Sequence, residues 1–201
     1  MPNHCLQQTA IHGPRESRDR FISLAVDEGY PSLKVLHPMP EELSGTFVGF
    51  TLDEELAKTR AERHASLLLK YGHGDWYSWA HAEWGTKWGD YETNVINHDE
   101  WETSIEYQSA WGPSSELVRH ISALFPDLLF VTTITEESHA FAGFTIHKDG
   151  KTLEDAETEI PKFDWEVDGE DDEKRYEWED DYVVKMQELA GEATARWLKT
   201  A

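Results

Sequence analysis

Cysteine is almost absent from this chain of 201 residues: Cys5 stands alone, so no intramolecular disulfide can form. No run approaches eighteen apolar residues, which excludes a helical membrane span on sequence grounds. The opening Met1-Pro-Asn-His-Cys-Leu-Gln-Gln8 has neither the basic nor the apolar part of a secretory signal, so cytoplasmic residence is the expectation. Positive charge is scarce. Lys and Arg number 18 against 40 Asp and Glu, a net charge of −22. The densest basic group, Arg15, Arg18 and Arg20, is diluted by Glu16 and Asp19. Neutralising phosphates needs clustered cations, so direct binding to nucleic acid or to an anionic membrane is disfavoured.

Catalytic signatures are missing as well. The chain has no phosphate-binding glycine loop, no Gly-x-Ser-x-Gly elbow and no His-Glu-x-x-His pair. His81-Ala-Glu83 matches half of a zinc-deaminase signature, but the Pro-Cys-x-x-Cys half is absent. His4, Cys5 and His12 could gather a metal only if the first strand folded back, and structural zinc normally takes four well-spaced ligands. His98-Asp99-Glu100 offers acid–base groups without a nucleophile nearby, which reads as a solvated strand start. No metal, no cofactor and no enzymatic activity are expected.

What the chain does have is concentrated acid. Fifteen carboxylates fall between Glu154 and Asp181, opposed only by Lys162, Lys174 and Arg175. Large aromatics are interleaved with them: Phe163, Trp165, Tyr176, Trp178 and Tyr182. The candidate partner-binding residues are Trp165, Glu170, Asp171, Asp172, Glu173, Tyr176, Trp178, Glu179, Asp180 and Asp181. Acids would supply charge and association rate, and aromatics buried contact.

Hydrophobic periodicity supplies the elements. Cys5–Ile11 reads as a weak first strand, followed by a helix that opens at Gly13-Pro14 and ends at Gly29. Thr51-Leu-Asp-Glu54 reads as a capping box for a helix to Lys70 that turns Leu52, Leu56, Ala57, Ala61, Ala65, Leu68 and Leu69 inward and stops at Gly72. Residues 101–111 alternate with period two, placing Trp101, Thr103, Ile105, Tyr107, Ser109 and Trp111 on one face. A helix with Leu117, Val118, Ile121, Leu124 and Phe125 on its buried stripe follows, then strands at 128–135 and 141–147 and a hairpin through Asp149-Gly150 to 151–158. From Tyr182, apolar residues at helical spacing predict a last helix of about four turns. The fold class expected is α+β, an antiparallel-rich sheet with helices on one face in a ferredoxin-like, split βαβ arrangement. Residues 1–160 would be the body, and 161–201 an acidic segment with a C-terminal helix packed on it.

Four of the nine tryptophans lie between Trp76 and Trp88. Trp76 and Trp79 are three apart and Trp84 and Trp88 four apart, so each pair can share a helical face. They can form a pocket with His81, Glu83 and Lys87, or anchor the core between helix and sheet.

Several pieces occur together in order: Met1-Pro-Asn-His4, Pro38-Met-Pro40, Trp84-Gly-Thr-Lys-Trp88, and Ser109-Ala-Trp-Gly-Pro113 before a helix ending Leu124-Phe-Pro126. Over residues 1–160 the chain resembles the YubB-type, Api-like small proteins of plasmids, prophages and phages. It departs from their pattern at Gly112, where the family usually has Ser, and in having a single Pro113. The resemblance implies a ferredoxin-like later part and a mobile-element origin in a bacterial cytoplasm, and it transfers no catalytic residue. The reading that follows is a non-enzymatic binding protein whose acidic surface imitates nucleic acid toward a basic, nucleic-acid-binding host protein such as a component of a defence system. The alternatives are a small-ligand protein or enzyme around residues 76–88, and a structural or regulatory protein whose charge serves solubility.

Overall fold

The structure is a computed structural model that describes residues 3–47, 49, 51–138, 140–159 and 172–199, with the backbone alone over 172–179. Strand β1 (His4–His12) alternates inward Cys5, Gln7, Thr9 and Ile11 with outward Leu6, Gln8 and Ala10. It is flanked on both sides by antiparallel partners, β5 (Glu102–Ala110) and β6 (Leu129–Glu136). β4 (Tyr91–His98) pairs outside β5, and β7 (Phe141–Lys148) and β8 (Lys151–Glu159) extend the other side. The sheet order is β4-β5-β1-β6-β7-β8.

This order carries the fold assignment. Helix α1 (Arg15–Leu24) follows β1, and after an inserted segment the β4–β5 pair leads into a second helix and then β6. Strand–helix–strand–strand–helix–strand, with the fourth strand beside the first and the third on its other side, is the ferredoxin-like split βαβ. The β7–β8 pair is an antiparallel extension.

The helix between β5 and β6, α5, is the fifth along the chain and spans Ser115–Leu124. Before it come α2 (Glu41–Ser44), α3 (Glu54–Tyr71) and α4 (Trp76–Glu83), all inside the insertion between α1 and β4. α1, α4 and α5 bury Phe21, Trp79, Leu117, Val118, Ile121 and Phe125 against Ile11, Ile105, Tyr107 and Phe130 of the first sheet face. Each such side chain contributes about 1.5–3 kcal/mol on burial. The last helix, α6 (Asp172–Leu198), lies on the opposite face, where Ala190 and Ala193 meet Leu129, Val131, Phe144 and Ile146. Residues 129 and 131 point away from residue 130, so α5 and α6 clamp the sheet from its two sides.

Several sequence expectations change here. α1 stops at Leu24, and Gly29 belongs instead to a tight hairpin between β2 (Val26–Asp27) and β3 (Tyr30–Pro31), with Glu28 and Gly29 both at positive φ. The N-cap of α3 is Asp53, accepting from Leu56 N–H at 3.0 Å, and not Thr51. α3 barely touches the body: Leu67 is its buried residue, while Leu69 is 91% exposed. Trp101 and Trp111 fall outside β5 and are exposed, and Leu124 is exposed too. Strand β4 had no clear period-two signal in the sequence. α6 begins ten residues before Tyr182 and runs 27 residues, so the end of the acidic run is helix.

The two tryptophan-containing motifs that carry the family resemblance touch. Leu117 N–H donates to Trp84 O, and Thr86 Oγ1 donates to Ala110 O. Gly85, at φ 80°, sits where an added Cβ would lie 3.2 Å from Pro113 O. The conformation and the close approach both call for glycine.

Candidate functional site

Among the described residues β8 is an edge strand paired with β7, and its exposed Asp155, Glu157 and Glu159 point to one side. Alternate residues on a strand are about 6.6 Å apart. The intervening Glu154 faces the other way and is used structurally, accepting from Arg196 at 2.8 Å and from Trp197 Nε1 at 2.7 Å. α6 runs back along β7 and β8: Trp197 meets Glu154, while Tyr182 and Met186 pack near Ala142, the neighbour of Thr158. The exposed Asp180 and Asp181 therefore lie toward the Glu159 end of β8.

Of the candidate partner-binding residues, Trp165, Glu170 and Asp171 lie outside the described residues. Asp172, Glu173, Tyr176, Trp178 and Glu179 are placed on the opening turns of α6 by their backbone.

The tryptophan-rich segment resolves into a capped helix and a turn. Asp75 caps α4 through Ser78 N–H at 2.8 Å. Trp79 and Trp84 are buried in the core, edge to face at 5.1 Å between ring centroids. Trp76 is half-buried and Trp88 exposed, with the Lys87 ammonium 5.9 and 4.9 Å from their ring centroids. The polar residues assigned to this segment do not converge. His81 is exposed and stacks edge-on with Tyr77, two residues around the helix from Glu83. Lys87 lies over the indoles. Glu83 alone of the three enters a polar cluster.

That cluster was invisible in the sequence. His37, just after a 3-10 turn at Lys34–Leu36, places Nε2 3.0 Å from Glu83 Oε2. His120 of α5 places its Nε2 3.2 Å from the same oxygen. The two imidazoles stack at 4.3 Å with an interplanar angle of 9°. His73, in the connection after α3, approaches the other Glu83 oxygen at 3.9 Å. Trp79 stacks on the outer face of His37, and Trp84 Nε1 donates to His37 O at 2.9 Å. Burial, then the neighbouring His37 and Arg119, hold His120 below the ordinary imidazole pKa and so favour its neutral form. Two imidazoles and a carboxylate are donors suited to zinc-class ions. The residues come from three separate segments with no local spacing to announce them.

The other histidine groups read from the sequence serve the fold or separate. Cys5 points into the core while His4 and His12 lie on the opposite face of β1, so the three cannot share an ion. Burial pushes the Cys5 thiol up to about 12. His98 is the last residue of β4 and bridges Thr103 Oγ1 and Asp19. Asp99 accepts the N–H groups of Trp101 and Glu102, which hold its pKa down to about 2 and close the β4–β5 turn.

Residues 83–180 match the family model described as "Ferredoxin-like domain in Api92-like protein". A search of curated proteins finds no match. Among solved structures, the chain is similar to the crystal structure of protein api92 from Yersinia pseudotuberculosis. The identity is 10%, the alignment covers 81% of this chain and all of that one, and the TM-score is 0.50. At this identity the likeness speaks to the fold.

Proposed function

We propose that this chain is a non-enzymatic binding protein of phage or plasmid origin. Its acidic edge would engage a basic, nucleic-acid-binding protein of the bacterial host, such as a component of a defence system. The observation that carries the reading is the exposed row Asp155, Glu157 and Glu159 on the outermost strand β8; α6 packs on the opposite face of the sheet and adds the exposed Asp180 and Asp181 near the Glu159 end. The strand sets its carboxylates about 6.6 Å apart, a spacing comparable with that of successive phosphates along a nucleic-acid strand. Arg196 is paired with Glu154, on the other face of β8 from the row. Charge on an edge strand also discourages sheet-to-sheet aggregation, so the test must separate repulsion from recognition. The Api-like resemblance supports the mobile-element origin.

The experiment is capture from bacterial lysate followed by competition. A captured partner should bind DNA, release it when this chain is added, and lose affinity for the chain between about 50 and 200 mM salt. Replacing Asp155, Glu157, Glu159, Asp180 and Asp181 by their amides should weaken capture about tenfold to a thousandfold, at up to about 1 kcal/mol per exposed charge. An unfolding transition matching that of the unmodified chain would show the variant intact. Equal affinity of the amide variant, or binding to a site that DNA does not contest, would sink the proposal.

A further inference from the structure

We infer that His37, Glu83 and His120 form a binding site for a divalent transition-metal ion of the zinc class. The donor atoms of all three lie within 4.8 Å of one another. Two of their separations are 3.0 and 3.2 Å, both to Glu83 Oε2. Donors bonded at 2.0–2.1 Å to a tetrahedral ion stand about 3.3 Å apart, so those two edges need to open by only a few tenths of an ångström. Imidazole with carboxylate, and no thiolate, suits Zn²⁺ better than the all-oxygen shells of Ca²⁺ or Mg²⁺. The side chains of all three ligands are about 28% exposed, which leaves an entry path and a fourth position for water.

The hydrogen bonding at His120 is conflicted in the absence of a ligand. Its Nε2 lies 3.0 Å from Arg119 Nη2 as well as 3.2 Å from Glu83 Oε2. With a lone pair on Nε2, His120 accepts from Arg119 and turns that lone pair on the carboxylate. With a proton there, it serves Glu83 and sets two donors against each other. One contact is unfavourable in either tautomer. An ion between His120 and Glu83 would take that single lone pair, so Arg119 must release His120 when the site fills. Arg119 stays anchored by Glu116 at 2.8 Å and by Gly150 O at 3.2 Å.

The surroundings hold the ligands in place. Trp84 Nε1 fixes the backbone at His37, Trp79 stacks on its ring, and His73 approaches the second Glu83 oxygen. Such outer contacts orient ligands and tune affinity. His37, His73 and Glu83 belong to the insertion, whereas His120 lies on α5 of the ferredoxin-like body. A bound ion would therefore staple the insertion to the ferredoxin-like body. The site is separate from the acidic edge and stands or falls independently of the binding role.

The test is calorimetric titration of ZnCl₂ into the untagged, chelator-treated full chain, with melting temperature and circular dichroism recorded for each variant. One saturable site per chain and a raised melting temperature are expected. Glu83→Gln and His120→Gln should weaken the site by more than about 100-fold, and His73→Gln by about 10- to 100-fold. His81→Gln, an exposed histidine on the same helix, should leave it unchanged. CoCl₂ should give tetrahedral d–d absorption that disappears with the same substitutions. Absence of a saturable site in the folded chain, or its survival in Glu83→Gln and His120→Gln, overturns the inference.

Discussion

Arg18 sits at the centre of the strongest stability prediction. Its side chain belongs to α1 yet is only 1% exposed. Nε donates to Gly13 O at 3.2 Å, Nη1 to Asp99 O at 3.0 Å and Thr103 Oγ1 at 3.3 Å, and Nη2 to Glu100 O at 2.6 Å. The guanidinium thus holds the β4–β5 turn against the start of α1, through carbonyls and a hydroxyl without a direct ion pair. Arg18→Met keeps much of the apolar stem and removes every donor. Three carbonyls lose a charged donor in a partly buried setting, where each orphaned acceptor costs about 1–3 kcal/mol. Water reaches part of the turn, so the expected loss is about 3–5 kcal/mol in all. For a chain of this size that lowers the melting temperature by roughly 6–20 °C. Arg18→Lys retains the charge without the planar fork and should fall between the two. Urea unfolding followed by tryptophan fluorescence reads the difference directly. An Arg18→Met chain within about 1 kcal/mol of the parent would refute the clamp.

Two further predictions follow from burial. His147 is buried, its Nδ1 lies 3.2 Å from Thr152 Oγ1, and burial lowers its pKa to about 4 from 6.5. Protons therefore bind the unfolded chain first, and this contribution is complete above about pH 6.5 and lost as pH falls toward 4, by roughly 3 kcal/mol. His147→Gln should flatten the stability–pH curve across that window, measured by urea midpoints from pH 4 to 7, and an unchanged slope would contradict it. On α3, Leu67→Ala should cost about 2–5 kcal/mol, whereas Leu69→Ala should stay within about 0.5 kcal/mol. Equal costs at the two positions would mean that α3 docks through a different face.

The fold was legible where one physical signal had no competitor. Thr103, Ile105, Tyr107 and Ser109 alternate cleanly because β5 has a helix-covered face and a more open one. The stripe Leu117, Val118, Ile121 and Phe125 appears because α5 buries a single side. α3 misled because its leucines satisfy a helical pattern without a surface to cover most of them, so periodicity is present and burial is not. β4 was missed because Tyr91–His98 carries two register shifts and a mixed exposure pattern, which erase the alternation.

The acidic run and the tryptophan-rich segment divide differently. Charge and aromatic content are properties of residues, so their density was readable; that the run begins within β8 and ends within α6 was not. Neither was direction. Glu154 turns to Arg196 while Asp155 turns to solvent, a difference set by the pleat of β8 and by where α6 lies. The polar cluster is the extreme case. His37, Glu83 and His120 belong to a loop, α4 and α5, separated by dozens of residues; Glu83 drew notice in the sequence only beside His81 and Lys87, and neither histidine did.

The sequence alone determined that no disulfide forms within these residues, the concentration of negative charge and most of the helices and strands, because composition and periodicity are local. Only the tertiary structure decided which carboxylates face outward, which indoles are core and which imidazoles meet Glu83. Those depend on packing between elements distant in the chain, which no local pattern records.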